Sequence, residues 1–239
     1  FRIDEESEQS SSSGLAFAIG MIMTMLLYIF LLLYGQLVMT SIIEEKNNRV
    51  LEIVVSSVKP AQLMMGKILG IGAVAVTQVL IWAALITAIS AYALPAMLPA
   101  DVMSEVSLLS SGQLSAADAT NDIGLLQAIM QLGDVSYILM LFGYLLLFLI
   151  GGFLFFAAIY AAIGSAVDNI QDAGQLQSVV IVPIILGLIF SMSVVNEPNS
   201  TLATVLSMVP FTSPMVMMDR IPFGIPTWEI ITSMLVLYV

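Results

Sequence analysis

The residues that could do chemistry are few and crowded into one stretch: Glu44, Glu45, Lys46, Arg49 and Glu52, followed by Lys59 and Lys67. Adjacent carboxylates beside an arginine invite a search for acid–base or metal chemistry. The chain has no histidine and no cysteine, so no imidazole serves as general base, proton shuttle or metal ligand, and no thiolate serves as nucleophile. No G-x-x-x-x-G-K-[ST] phosphate loop occurs either. The expectation is a chain with no catalytic residues, no metal site and no bound cofactor. The same charges suit a helix instead. Glu45 and Arg49 stand four residues apart, as do Glu44 and Asn48, and Val50, Leu51, Val54 and Val55 supply an apolar side. This predicts an amphipathic helix over 42–60, within a segment 42–66, that Pro60 ends and from which Gly66-Lys67 leads onward. From the residues alone it is either a solvated connector or a docking element for a partner.

The elements on either side are membrane spans. Four stretches, roughly Leu15–Met39, Ile68–Leu94, Val135–Ala162 and Val179–Val195, contain no Asp, Glu, Lys, Arg or His. About 20 apolar residues cross a hydrocarbon core of about 30 Å as a helix. A hydrophobic share of 59%, a charged share of 10% and a mean hydropathy of +1.04 exclude disorder and an ordinary soluble domain. The predicted class is an all-α, polytopic integral membrane protein with spans at about 15–40, 67–95, 134–163 and 178–196, and a fifth beginning at 228. The run from Trp228 is about 12 residues long at Val239, and the chain opens at Phe1 without a Met; both suit a piece of a longer chain. Four of the six basic residues lie between 46 and 67, so by the positive-inside rule that loop is cytoplasmic, with 1–14 and 96–133 outside.

Between the spans, Ser10–Ser13 reads as a short flexible connector after an extracytoplasmic start. Pro95 and Pro99 should stop the second span, with one or two short interfacial helices in 96–133. Segment 201–222 is apolar but interrupted by Pro210 and Pro214 and ends at Asp219–Arg220. It either re-enters the bilayer, buried in protein, or lies flat at the interface. Asp219 stands where an apolar residue is expected, and a salt bridge or local neutralisation is anticipated there. Gly20, Gly35, Gly70, Gly72 and Gly151–Gly152 allow close helix approach, and Pro183 with Gly187 would give a kink or hinge. The loop 164–177, with Asp168, Gln171, Asp172 and Gln177, is either a second cytoplasmic contact or a solvated turn.

Three motifs together carry a resemblance. Glu44-Glu45-Lys46-x-x-Arg49-x-x-Glu52 leads to Ser56-Ser57-x-x-Pro60 and Gly66-Lys67-Ile68-Leu69-Gly70. Gly164-x-x-x-Asp168-Asn169-x-x-Asp172-Ala173-x-Gln175-Leu176-Gln177 follows the third span. Pro210-Phe211-x-Ser213-Pro214-Met215-Val216-Met217-Met218-x-Arg220 precedes the last. In this order they resemble the permease subunit of type-2 ABC exporters, nearest the sodium-extrusion, NatB-like branch. The resemblance implies a multi-pass protein of a prokaryotic cell membrane, and a permease paired with a second copy or a paralogue. It also implies an ABC ATPase subunit that holds ATP and Mg. By the same implication Glu44, Glu45, Lys46, Arg49 and Glu52 become ATPase contacts, and Pro60, Gly66 and Lys67 supply a turn, a close packing point and an interfacial anchor. A further N-terminal span and a large extracytoplasmic domain would precede residue 1. Nucleic acid has no place in this picture.

Two rivals follow from the same residues. Glu44-Glu45-x-x-x-Arg49 also matches a signature of CAAX-type intramembrane proteases, but such a metal site needs histidine. An ion-coupled secondary transporter usually places carboxylates at the midplane, and the four spans have none. Their polar groups, Thr24, Gln36, Thr77, Gln78, Thr87 and the pair Tyr28/Tyr34, suit helix-to-helix hydrogen bonds. Met-rich apolar faces suit an amphipathic lipid, peptide or drug at least as well as an ion.

Overall fold

The computed structural model describes residues 2–47, 59–113, 123–194 and 197–238, with no strand among them. Helix α1 spans Arg2–Asn47 and α2 Pro60–Ala88, which continues through a π turn at Ile89–Ala93 and a last α turn at Leu94–Met97. Two short helices follow, α3 (Ala100–Ser110) and α4 (Ile123–Gly133). The long helices α5 (Val135–Ala166) and α6 (Ile170–Val194) come next. After them come α7 (Thr201–Leu206), α8 (Ser213–Arg220), a 3-10 turn at Ile221–Phe223 and α9 (Thr227–Tyr238). Gly14–Asn47, Ala61–Met97, Val135–Ala166 and Ile170–Val194 are long and apolar enough to cross a membrane.

The core is the α1–α5 pair. Leu27, Leu31 and Val38 on α1 and Leu145, Phe148, Phe156 and Tyr160 on α5 have no accessible surface, a spacing of three, four, seven or eight residues that keeps each set on one helical face. Between apolar helices in lipid, close packing rather than release of water holds the contact, so small residues decide where backbones meet. Gly35 is such a point: a Cβ there would lie 2.4 Å from Tyr160 Cε2. Helix α2 leans on this pair through Trp82 against Phe30, ring centres 5.5 Å apart, and through Gly72 against Phe153. Tyr34 on α1 donates a hydrogen bond to the Gln78 amide oxygen on α2, one of the anticipated helix-to-helix bonds. Thr77 instead bonds back to Ala73 O within its own helix. At the N-terminus of α5, an Asp134 carboxylate oxygen accepts from the Ser136 amide at 2.8 Å, an ordinary N-cap.

Three expectations need correcting here. Helix α1 runs unbroken through Ser10–Ser13, where a connector was expected, and through 42–47, so these last residues extend the first span rather than begin a separate helix. At about 1.5 Å per residue, the 34 residues from Gly14 reach about 51 Å, well beyond a hydrocarbon core; the charged end therefore projects. Pro60 starts α2, with Lys59 as an extended N-cap, a position where its missing amide costs nothing; whether it also ends a preceding helix lies outside the described residues. Pro95 lies within the continuing helix, which stops only at Leu98, and Pro99 precedes α3. The rest of the predicted 42–60 helix, at 48–58, lies outside the described residues.

Helix α8 is the most enclosed element, with all eight residues from Ser213 to Arg220 buried. It packs among α1, α5 and α6. Its start sits near the midpoints of two long helices: a Cβ on Gly152 would lie 3.1 Å from Pro214 Cγ and 3.3 Å from Leu31 Cδ2. From there α8 returns antiparallel to α1, with Thr24 Oγ1 donating to Met215 O at 3.0 Å and Asp219 lying against Gly20. Gly224, at φ +73°, makes the left-handed turn that sends α9 back along α5, where Leu237 and Tyr238 lie on Gly151.

Candidate functional site

Charge is concentrated at the two ends of the bundle. At the end where α1 stops and α2 starts, Lys46 Nζ lies 2.5 Å from Asp168 Oδ1 and donates to Ser165 O and Val167 O, both at 3.2 Å. A cation on those last carbonyls of α5 is the favoured partner of a helix C-terminus. Lys67 pairs with Glu45 at 2.8 Å and donates to Ser41 O at 2.7 Å. Two lysines thus fasten the end of α1 to α2 and to the three-residue link 167–169 between α5 and α6. Between them lies a cavity of about 230 Å³ lined by Ile42, Glu45, Lys46, Leu63, Met64, Lys67 and Ser165.

This arrangement brings together two segments that the sequence placed separately. Glu45 and Lys46 are held by intramolecular pairs, whereas Glu44 is exposed. Arg49 and Glu52 lie outside the described residues, so the Glu45–Arg49 pairing does too. Asp168 is 79% exposed, Gln171 and Asp172 are exposed on the first turn of α6, and Gln177 is half-buried. Lys67 is held by Ser41 and Glu45. Gly66 is not a packing point, since a Cβ there would meet nothing within 4 Å, and Gly70 is equally open.

The opposite end holds a buried network. Arg220 is fully buried; its guanidinium meets Glu229 Oε2 at 2.7 Å, Pro198 O at 2.7 Å, Ser207 Oγ at 2.7 Å and Thr204 Oγ1 at 3.4 Å. Ser233 Oγ donates to Ser207 O at 2.6 Å, so its single proton is committed and Ser213, 2.6 Å away, is the donor to it. One arginine thus ties together the approach to α7, the end of α8 and the start of α9. A buried cation is tolerable only with a paired anion and its remaining donors satisfied, and Arg220 has both.

The salt bridge anticipated near Asp219–Arg220 therefore exists, but with a different acid. Glu229 was hidden in a run read as apolar, and the signal that could have found it is a lone acid nine residues beyond a lone arginine. Asp219 itself is 1% exposed and neither carboxylate oxygen has a hydrogen-bond partner. It lies outside the four long helices. Burial pushes its carboxyl up to about 7; the Ser191 hydroxyl on α6 opposes this only in part and is not in hydrogen-bonding geometry with it. Pro210 precedes α8, and Pro214 seats it on Gly152. Pro183 lies inside α6 without ending it, and a Cβ on Gly187 would lie 3.0 Å from Met215 Sδ, a close approach rather than a demonstrated hinge. Among the described residues no group of three acids could hold a metal ion.

Long apolar helices, a short helix buried among them and charge sorted to the two ends define a polytopic α-helical membrane protein. The chain belongs to the ABC-2 family transporter proteins, whose pattern matches residues 1–239. It is 28% identical over 230 residues, 94% of this chain and 46% of the relative, to uncharacterized protein YhaP of Bacillus subtilis (strain 168). It is 29% identical over 215 residues, 90% of this chain and 43% of the relative, to uncharacterized protein MJ1024 of Methanocaldococcus jannaschii. The chain thus spans less than half the length of these relatives. No solved structure matches it. Permeases of this family are membrane subunits that normally work with an ABC ATPase subunit.

Proposed function

We propose that this chain is the membrane-spanning part of an ATP-driven exporter, coupled to its ATPase at the end that carries Lys46 and Lys67. The observation that supports this most is the pair of ion bridges joining α1, α2 and the α5–α6 link. A force applied there reaches three long helices at once. The basic residues assign this end to the cytoplasm. Glu44, Arg49 and Glu52 contact the ATPase, with Gln171 and Asp172 as a second contact, while Glu45, Lys46 and Lys67 hold the helices that receive the push. A second permease copy or a paralogue completes the pathway, and ATP with Mg stays on the ATPase. The cargo is an ion or an amphipathic small molecule, lipid or peptide. The motif likeness to the sodium-extrusion branch favours the first, and the acid-free, Met-rich span faces favour the second.

The test is co-purification of the full-length protein with its ATPase. Reversing Glu44→Lys with Arg49→Glu should abolish association or coupled ATP hydrolysis while the permease remains folded and inserted. Wild-type association and coupling in that double variant would refute the assignment of this end.

A further inference from the structure

The buried acid of α8 has no role in the coupling scheme, and its surroundings say what it binds. Asp219 is enclosed between α1 and α6. A Cβ placed on Gly20 would lie 2.7 Å from the Asp219 carbonyl oxygen and 2.9 Å from Oδ1, so only a glycine at that position of α1 lets the acid seat. Both carboxylate oxygens lack a donor. The neighbouring Arg220 gives no relief, because its guanidinium is turned to Glu229, Pro198 and Ser207. The ionisable side chains on the elements packed against α8 are Glu229 and Tyr238 on α9, Tyr28 and Tyr34 in the apolar part of α1, Tyr137, Tyr144 and Tyr160 on α5, and, at helix ends, Asp172 on α6 and the charged residues of α1 before 14 and after 43. Residues 14–43 of α1, 173–194 of α6 and the whole of α5 have no acidic or basic side chain. An ionised carboxylate in such a place is strongly disfavoured, and the group neutralises itself by taking a proton.

We propose that Asp219 is a proton-binding site: α8 seats against Gly20 and Ser191 with this carboxyl protonated, and loss of the proton releases the segment. The docked state binds one more proton than the undocked state, so docking is strongest at low pH and weakens as pH rises through the raised carboxyl's midpoint. A bound metal cation is the poorer occupant, since among the described residues no group of three acids could hold one and Glu229 is already held by Arg220. The inference is independent of whether an ATPase docks at the other end.

The test uses the full-length protein in phosphatidylcholine nanodiscs. Infrared spectra from about pH 5 to about pH 9 bracket the range of buried carboxyls and report the C=O stretch of a protonated acid. A thiol at Met217→Cys, on fully buried α8, reports release through maleimide labelling read at that position. The expected result is an acid band that disappears as pH rises and is absent in Asp219→Asn. Labelling should increase about tenfold over the same range with Asp219 and stay low at every pH with Asp219→Asn. No acid band at low pH, or equal pH dependence of labelling in both proteins, overturns the proposal. So does loss of the band on adding sodium chloride at fixed pH, which would mark a cation site. If Asp219→Asn does not fold, Asp219→Glu takes its place: a moved midpoint supports the assignment, and an unmoved one overturns it.

Discussion

The two charged ends of the bundle use the same residue chemistry under opposite solvation. Lys46 and Asp168 are 36% and 79% exposed at one end, whereas Arg220 and Glu229 are 0% and 10% exposed at the other. An exposed pair gains about 0–1 kcal/mol because water and salt compete for both partners. A buried pair holds its geometry because losing one partner strands the other, at a cost of about 3–5 kcal/mol. The first kind of contact can be exchanged for contacts to another protein, and the second cannot without opening the fold. The exchangeable charges lie where the proposed ATPase would dock, and the locked ones fasten α7, α8 and α9 together.

The contrast breaks most visibly at Arg220. Arg220→Ala or Glu229→Ala should each destabilise the purified protein by about 3–5 kcal/mol in a denaturant titration, whereas Arg220→Met with Glu229→Leu should cost less than either alone. Equal losses from all three would show that the charge pair is not what fastens α8 to α9. Next in size is Gly20→Ala, which forces the new Cβ onto the Asp219 backbone and should cost about 1–3 kcal/mol; Gly70→Ala, facing open space, should cost nothing measurable in the same assay. Breaking Tyr34–Gln78 with Tyr34→Phe should cost about 0.6 kcal/mol, the average for a hydrogen bond between membrane helices. The smallest effect belongs to Lys46 and Asp168. A double-mutant cycle with Lys46→Ala and Asp168→Ala should give a coupling of at most about 1 kcal/mol that falls with added salt. A larger, salt-independent coupling would erase the distinction between the two ends.

Much of the fold was legible because bilayer chemistry is restrictive: the four charge-free runs became the four long helices. What the sequence obscured was continuity. The charged tail 42–47 looked like a new element, yet nothing in it breaks a helix, and the span simply projects beyond the apolar zone. Prolines were only partly legible: Pro95 lies in a helix it was expected to stop, whereas the helix does stop just before Pro99, and Pro60 and Pro99 both sit at helix starts, where a missing amide is harmless. The site was legible in its residue types but not in its pairings. Lys46 meets Asp168, 122 positions on, and Arg220 meets Glu229 rather than its neighbour Asp219. Such pairs depend on which helices are adjacent, and a single sequence does not carry that information. The sequence did not show that only the Ser213–Arg220 part of 201–222 is enclosed while Leu202, Val205 and Phe211 stay exposed, because the close approach depends on Gly152 and Gly187 on other helices.

Hydrogen exchange on the full-length permease, alone and with its ATPase bound, tests the central claim most directly. The account predicts added protection in 42–66 and 164–177 on binding, with 197–229 already slow and unchanged. Protection gained at 197–229 with none at 42–66 would contradict it, because the partner would then be acting on the locked end.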